Sequence, residues 1–336
     1  MSSIPTSFRE SVSRSIDKPA LGGVFPGQGA QSIGMLNALA QACPVVRETF
    51  EEASDSLSLD LWSLVTDGPE TELNRTHNTQ PVMLAAGVAV WRAWLAAGGG
   101  RPAVMAGHSF GEYTALVCAG ALDFRDAAVL VRERGRVMQA AVIENEGAMA
   151  AVLGLEDAPV ADVCARAAQG QTVAPVNFNA PGQVVIAGNT AAVIRAMALA
   201  TEAGARRVVR LAVSVPAHCS LMTPAAEALA PRLAETKLRS PEIPVLHNVD
   251  VRHYDDPDAI RAALGRQLYS PVRWVETIRA FAGRGVRSVF EFGPGKVLTG
   301  LNKRVEKSLQ CLCVCDPSSL ERALTLSRAD GEHEAE

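Results

Sequence analysis

Short apolar runs alternate with longer segments of helical periodicity along the first 140 residues. Residues 22–25 read as a short apolar strand, followed by "PGQGAQ", a helical run and two further helical segments. Ala103, Val104, Met105 and Ala106 end a second buried strand, and Ala115, Leu116, Ala119 and Leu122 then recur at helical spacing. A further helix is expected from Asp123, a side chain that caps helix N-termini. This alternation predicts a parallel sheet with helices on its faces, an α/β fold. The apolar stretch 81–100 is interrupted by Arg92 and ends in glycines, so it reads as a buried helix and not a membrane span.

The pattern changes near Gly147. Strand-like "GAMAAVLGL", helix-like "EDAPVADVCARAAQG", two strands around Ala180-Pro181, helix-like "TAAVIRAMALATEAG" and strand-like "ARRVVRLAV" follow in turn. The order β-α-β-β-α-β is that of a ferredoxin-like unit. The chain is therefore expected to divide into a flexible extension (1–20), a large α/β domain (21–144 and 214–325), an inserted small subdomain (145–213) and a flexible polar tail (326–336).

At 336 residues, 48 % of them hydrophobic, the chain suits one large domain with an insert. Its formal net charge of −4 comes with no Lys/Arg cluster, which argues against nucleic-acid binding. Seven scattered cysteines and no apolar signal segment point to reduced thiols in the cytoplasm. Cys311, Cys313 and Cys315 alternate as buried strand positions would, and no Cys-x-x-Cys or nearby histidine suggests a metal.

The chemistry concentrates in "GHSFG", residues 107–111, set between strand and helix. A Gly-x-Ser-x-Gly turn there is a nucleophile elbow, which lifts a serine hydroxyl, here Ser109, over the end of a sheet. Gly107 and Gly111 permit the close backbone approach of such a turn. A serine needs a base to take its proton. Of six histidines, His218 follows an apolar strand in a strand-end loop, where catalytic residues of α/β folds sit. His77, His247 and His253 lie in polar or turn-like surroundings, and His108 leaves the elbow in another direction. A structural role for His218 stays open at this point, and no acid partner emerges from spacing.

The loop "VFPGQGAQ" has Ser32 where a dinucleotide fingerprint needs glycine, and it lacks the Gly-Lys-Ser/Thr of a phosphate loop. Beside an elbow it could offer a backbone N–H to an oxyanion instead. "FGPGKVLTG" fails as a phosphate loop because Val297 follows Lys296, and reads as a tight turn into a helix. On the 123–142 helix, Ala127, Val131, Met138 and Val142 form an apolar stripe. Arg134 lies about 60° from its centre at ~100° per residue, with Arg132 and Arg136 further round. An inward arginine needs an anion, and a substrate carboxylate would serve.

Together, "VFPGQGAQ", "GHSFGEYTALVCAG", "RERGRVMQ", "NFNAPGQVVIAGN", "VSVPAHCSLM", "QLYSPVRW" and "GPGKVLTGL" resemble, in order, the malonyl-CoA:acyl carrier protein transacylases and the related acyltransferase domains of fatty acid and polyketide synthases. The resemblance implies a hydrolase-like large domain with a ferredoxin-like insert. It implies Ser109 as the acylated nucleophile, His218 as its base, and the backbone N–H groups of Gln28 and Phe110 as the oxyanion hole. Arg134 would bind the malonyl carboxylate, and the Gln267 backbone carbonyl would orient the histidine. Gln80 and Asn179 match positions lining the site. The implied substrates are malonyl-CoA and the phosphopantetheine thiol of holo acyl carrier protein, with no bound cofactor or metal, in a cytoplasmic monomer. Phe110 and Ala217 stand where the family commonly has leucine and serine. A polyketide acyltransferase taking malonyl or another extender unit is the alternative. A serine hydrolase or thioesterase would share Ser109 and His218 but would not require the arginine.

Overall fold

The computed structural model describes residues 20–143, 146–213 and 215–332. The extension expected over 1–20, apart from Ala20, and His333 lie outside those residues. The larger sheet contains β1 (Ala20–Phe25) and β2 (Val104–Gly107). The smaller one contains β3 (Gly147–Leu153), β4 (Val173–Ala180), β5 (Gln183–Asn189) and β6 (Arg207–Arg210). Then β7 (Val245–Leu246), β8 (Val286–Phe292) and β9 (Gln310–Val314) complete the larger sheet. Its order is β7-β2-β1-β8-β9, and every paired neighbour is parallel.

Both faces of this sheet are covered, as a parallel sheet requires. Successive residues alternate between two apolar layers. Phe25, Met105, Phe290, Phe292 and Val314 enter one layer, while Val24, Val104, Ala106, Val289 and Cys311 enter the other. The first layer is closed mainly by helices that precede the small sheet. These are α1 (Asn37–Ala42), α2 (Val45–Leu57), α3 (Leu61–Thr66), α4 (Glu70–Leu73), α5 (Thr76–Ala96), α6 (Gly111–Cys118) and α7 (Phe124–Ala140). A helical run and two further helical segments were expected before the elbow, and α1–α5 occupy that stretch. Pro44 and Pro69 stand at the N-caps of α2 and α4, and Asp60 caps α3 by accepting from Ser63 N–H at 2.8 Å. Those punctuating residues divide what apolar periodicity alone reads as continuous.

The small sheet carries α8 (Asp157–Ala168) and α9 (Thr190–Glu202). Its order β4-β5-β3-β6, antiparallel throughout, is the ferredoxin-like arrangement. The remaining helices are α10 (Thr223–Glu235), α11 (Pro257–Gln267), α12 (Trp274–Gly283), α13 (Val297–Val305) and α14 (Pro317–Glu332). The two sheets are joined where β4 meets the loop after α11: Val272 N–H donates to Val176 and Phe178 N–H donates to Val272.

Two expectations need correcting. Of the three alternating cysteines only Cys311 is buried; Cys313 and Cys315 are half-buried, because Cys315 lies past the end of β9 in the turn that Asp316 and Ser319 cap. The tail read over 326–336 is helical to Glu332, since α14 is anchored by buried Leu320 and Ala323 and simply propagates. Residues 333–336 lie outside the described residues.

Candidate active site

The turn between β2 and α6 is too tight for side chains at its two glycines. A Cβ on Gly107 would come within 1.9 Å of the Gly111 backbone, and one on Gly111 within 2.5 Å of the Phe25 carbonyl. Ser109 sits at the apex with φ +54°, a conformation that costs a residue with a side chain about 1–3 kcal/mol. Ser109 Oγ lies 2.7 Å from His218 Nε2.

His218 is 2 % exposed and also holds a positive φ, +67°, fixed by its N–H donating to the Leu268 carbonyl at 2.9 Å. Its Nδ1 lies 2.9 Å from the Gln267 carbonyl oxygen. A carbonyl only accepts, so Nδ1 carries the proton and Nε2 presents its lone pair to Ser109. Burial, and next the positive charge of Arg134, push the imidazole pKa down to about 3, so the ring is neutral at neutral pH. A carbonyl from the end of α11 thus occupies the place where sequence spacing offered no acid.

Arg134 is 1 % exposed on the inward face of α7, whose start is capped by Asp123 accepting from Arg125 and Asp126 N–H. It donates to Gln80 Oε1 at 2.9 Å and to Gln267 Oε1 at 3.0 Å, and lies over the Tyr113 ring. Its Nε has no partner, and neither hydrogen-bond acceptor is a carboxylate. Burial lowers its pKa, opposed in part by Tyr113 and by the charge of buried Glu112, which is hydrogen-bonded elsewhere.

These groups line a cleft of about 430 Å³ together with Gln28, Phe110, Met149, Asn177, Leu211 and Ala217. Neither Gln28 nor Phe110 gives its backbone N–H to an acceptor among the described residues. The polar end holds Ser109, His218, Gln80 and Arg134, and the wall from the small sheet is largely apolar. Asn179 stands one step back, its Oδ1 2.8 Å from Nε2 of His108, and Asn177 faces the cleft instead. The register of β4 opposite β5 is irregular on both sides of this segment. A larger depression of about 790 Å³ between α2, α7 and α10 offers no comparable set, since its Arg136 and Arg232 are paired with Glu133 and Glu235. No group of three or more His, Cys, Asp or Glu gathers as metal ligands among the described residues.

Sequence reasoning missed Glu112, His247 and Asn248. His247 was placed in turn-like surroundings but is fully buried, with Nδ1 2.7 Å from Glu112 Oε1. The available signal was positional: His247 and Asn248 directly follow β7, at the strand-end edge where α/β sites form.

This combination is suited to acyl transfer through a serine ester: a strained serine, a neutral base held by a carbonyl, free N–H groups and a buried arginine awaiting an anion. Comparison with known proteins agrees. Residues 24–320 match the family model described as acyl transferase domain. The malonyl CoA-acyl carrier protein transacylase of Escherichia coli K12 is 54% identical over 303 residues, covering 90% of this chain and 98% of that protein. A crystal structure of an acyl carrier protein S-malonyltransferase from Vibrio cholerae is 56% identical with a TM-score of 0.88, covering 90% of this chain and 99% of that one. A malonyl-transacylase solved in complex with its type II PKS acyl-carrier protein is 54% identical with a TM-score of 0.90, covering 91% and 99%. The chain belongs to the acyl transferase domain family and, within it, to the malonyl CoA-acyl carrier protein transacylases.

Proposed function

We propose that this enzyme moves a malonyl group from malonyl-CoA to the phosphopantetheine thiol of acyl carrier protein, for fatty acid synthesis, through a malonyl-Ser109 intermediate. The observation that carries the malonyl assignment is Arg134, a buried guanidinium in the cleft with no carboxylate hydrogen-bonded to it. The carboxylate of a malonyl group would supply that partner in a planar, two-bond contact.

In the first half-reaction, Ser109 Oγ attacks the thioester carbonyl as its proton passes to His218 Nε2. The backbone N–H groups of Gln28 and Phe110 bind the oxyanion. The C–S bond breaks, and coenzyme A leaves with the proton returned by His218. In the second half, the carrier thiol gives its proton to the same Nε2 and attacks the ester, and Ser109 Oγ recovers a proton as its bond to the acyl carbon breaks. Gln267 orients His218 through its backbone and Arg134 through its side chain, and Gln80 supports Arg134 from the other side. Asn179 supports His108 behind the turn. A polyketide carrier protein is the second reading, favoured by the structural neighbour solved with one. The protein is read as a cytoplasmic monomer; no described helix is long and apolar enough to cross a membrane.

Intact-protein mass after mixing with malonyl-, acetyl- or methylmalonyl-CoA tests the reading. The expected result is a malonyl adduct, absent in Ser109→Ala and discharged by holo acyl carrier protein. Release of free malonate without an adduct would indicate hydrolysis and overturn the transfer reading. Rates with the two kinds of holo carrier protein separate the two pathways.

A further inference from the structure

Ser109 holds a positive φ with no glycine to make that conformation cheap. What holds it lies at the end of the neighbouring strand. Asn248 follows β7 and is fully buried. Its Oδ1 accepts the Ser109 N–H at 2.8 Å, and its Nδ2 donates to the Gly107 carbonyl at 2.7 Å. One planar amide therefore spans the turn, from the last residue of β2 to the nucleophile.

The amide is fixed from behind. The Asn248 N–H donates to Glu112 Oε2 at 2.8 Å, and Glu112 Oε1 lies 2.7 Å from His247 Nδ1. Glu112 and His247 are also fully buried. Glu112 belongs to α6, the helix into which the turn runs, so the path from Gly107 through Ser109 to Glu112 closes on itself through residues 247–248. Asn248 does not line the cleft. Its claim on the Ser109 N–H leaves the neighbouring Phe110 N–H as this turn's free donor.

We propose that Asn248 is a positioning residue for acyl transfer: its side-chain amide locks the turn at Gly107 and Ser109, and so aims the Ser109 hydroxyl at His218 and the Phe110 N–H at the developing oxyanion. The inference rests on the acyl-transfer reading of the cleft.

The test uses the full chain with Asn248→Ala and with Asn248→Asp, which fills a similar volume and keeps an acceptor for Ser109 but loses the donor to Gly107. Transfer kinetics are measured with malonyl-CoA and holo acyl carrier protein, and the rate of Ser109 labelling with a fluorophosphonate. Arg195→Ala, which removes hydrogen bonds between α9 and the end of α8 far from the cleft, controls for lost stability alone. For Asn248→Ala, kcat is expected to fall about 100-fold with KM for malonyl-CoA changed less than about threefold, and labelling to slow in parallel. Asn248→Asp is expected to lose at least about tenfold in both rates. Parental rates in either folded variant would overturn the proposal. So would an equal kcat loss in Arg195→Ala at matched Tm, or loss of the fold in both Asn248 variants, which would make the residue structural alone. If the unmutated protein ignores malonyl-CoA, the acyl-transfer reading fails by itself, and the labelling rates still decide the role of Asn248.

Discussion

Arg134 is where single-residue physics says most. Two neutral side-chain amides hold the guanidinium, and the buried Glu112 carboxylate acts on it only through space, being hydrogen-bonded to residues 247 and 248. A malonyl carboxylate gains from direct contact with that charge and an acetyl group does not. Charge-assisted hydrogen bonds of this kind contribute roughly 1.5–3 kcal/mol each. Arg134→Ala is therefore expected to lower kcat/KM for malonyl-CoA by about 100-fold or more, while acetyl-CoA still acylates Ser109 at the parental rate or faster. Competition between the two thioesters, read by intact mass, checks this, and an unchanged malonyl preference would remove Arg134 from the acyl site. Arg134 was legible because its angle on an amphipathic helix is a local quantity. Ser109 was legible because glycines bracket it between strand and helix. Asn248 and Glu112 were not, because their meaning arises only when residues 136 and 139 positions apart are brought together by neighbouring parallel strands.

The turn between β2 and α6 behaves as a unit built on two absent side chains. Gly107→Ala would drive a Cβ into the Gly111 carbonyl group at 1.9 Å, and no flexible side chain is there to yield. Such overpacking costs about 3 kcal/mol or more. It also moves Ser109 relative to His218. Gly300, inside α13, meets nothing within 4 Å, so Gly300→Ala is expected to stabilise by about 0.4–1 kcal/mol. Thermal melts of the two variants should move in opposite directions, and only Gly107→Ala should lose transfer activity. A stable and active Gly107→Ala would mean that the turn has slack. At this scale the sequence was a good guide wherever periodicity ran unbroken: β3 to β6 with α8 and α9 emerge in the expected order. It served less well where Pro44, Asp60 and Pro69 cut one apolar stretch into several short helices.

For the molecule as a whole, burying a neutral base has a consequence beyond catalysis. His218 titrates at about 3 in the fold, pressed down first by burial and then by Arg134, and burial also lowers His108. In the unfolded chain both return to about 6.5. Between the unfolded and folded values the unfolded chain holds protons that the folded one refuses, so stability rises with pH. Above about 6.5 neither histidine imposes a penalty. As pH falls from about 6.5 towards about 3, His218 contributes a loss of about 1.4 kcal/mol per pH unit, and His108 adds to it in the same direction. Denaturant unfolding between about pH 6 and pH 4 should show this acid loss. His218→Gln, which cannot take up a proton in either state, should flatten the slope by about 1.4 kcal/mol per unit. Arg134→Met should flatten it less, because burial, the first cause, remains. An unaltered slope in His218→Gln would mean that the ring is already protonated in the fold, and a protonated ring could not accept the Ser109 proton.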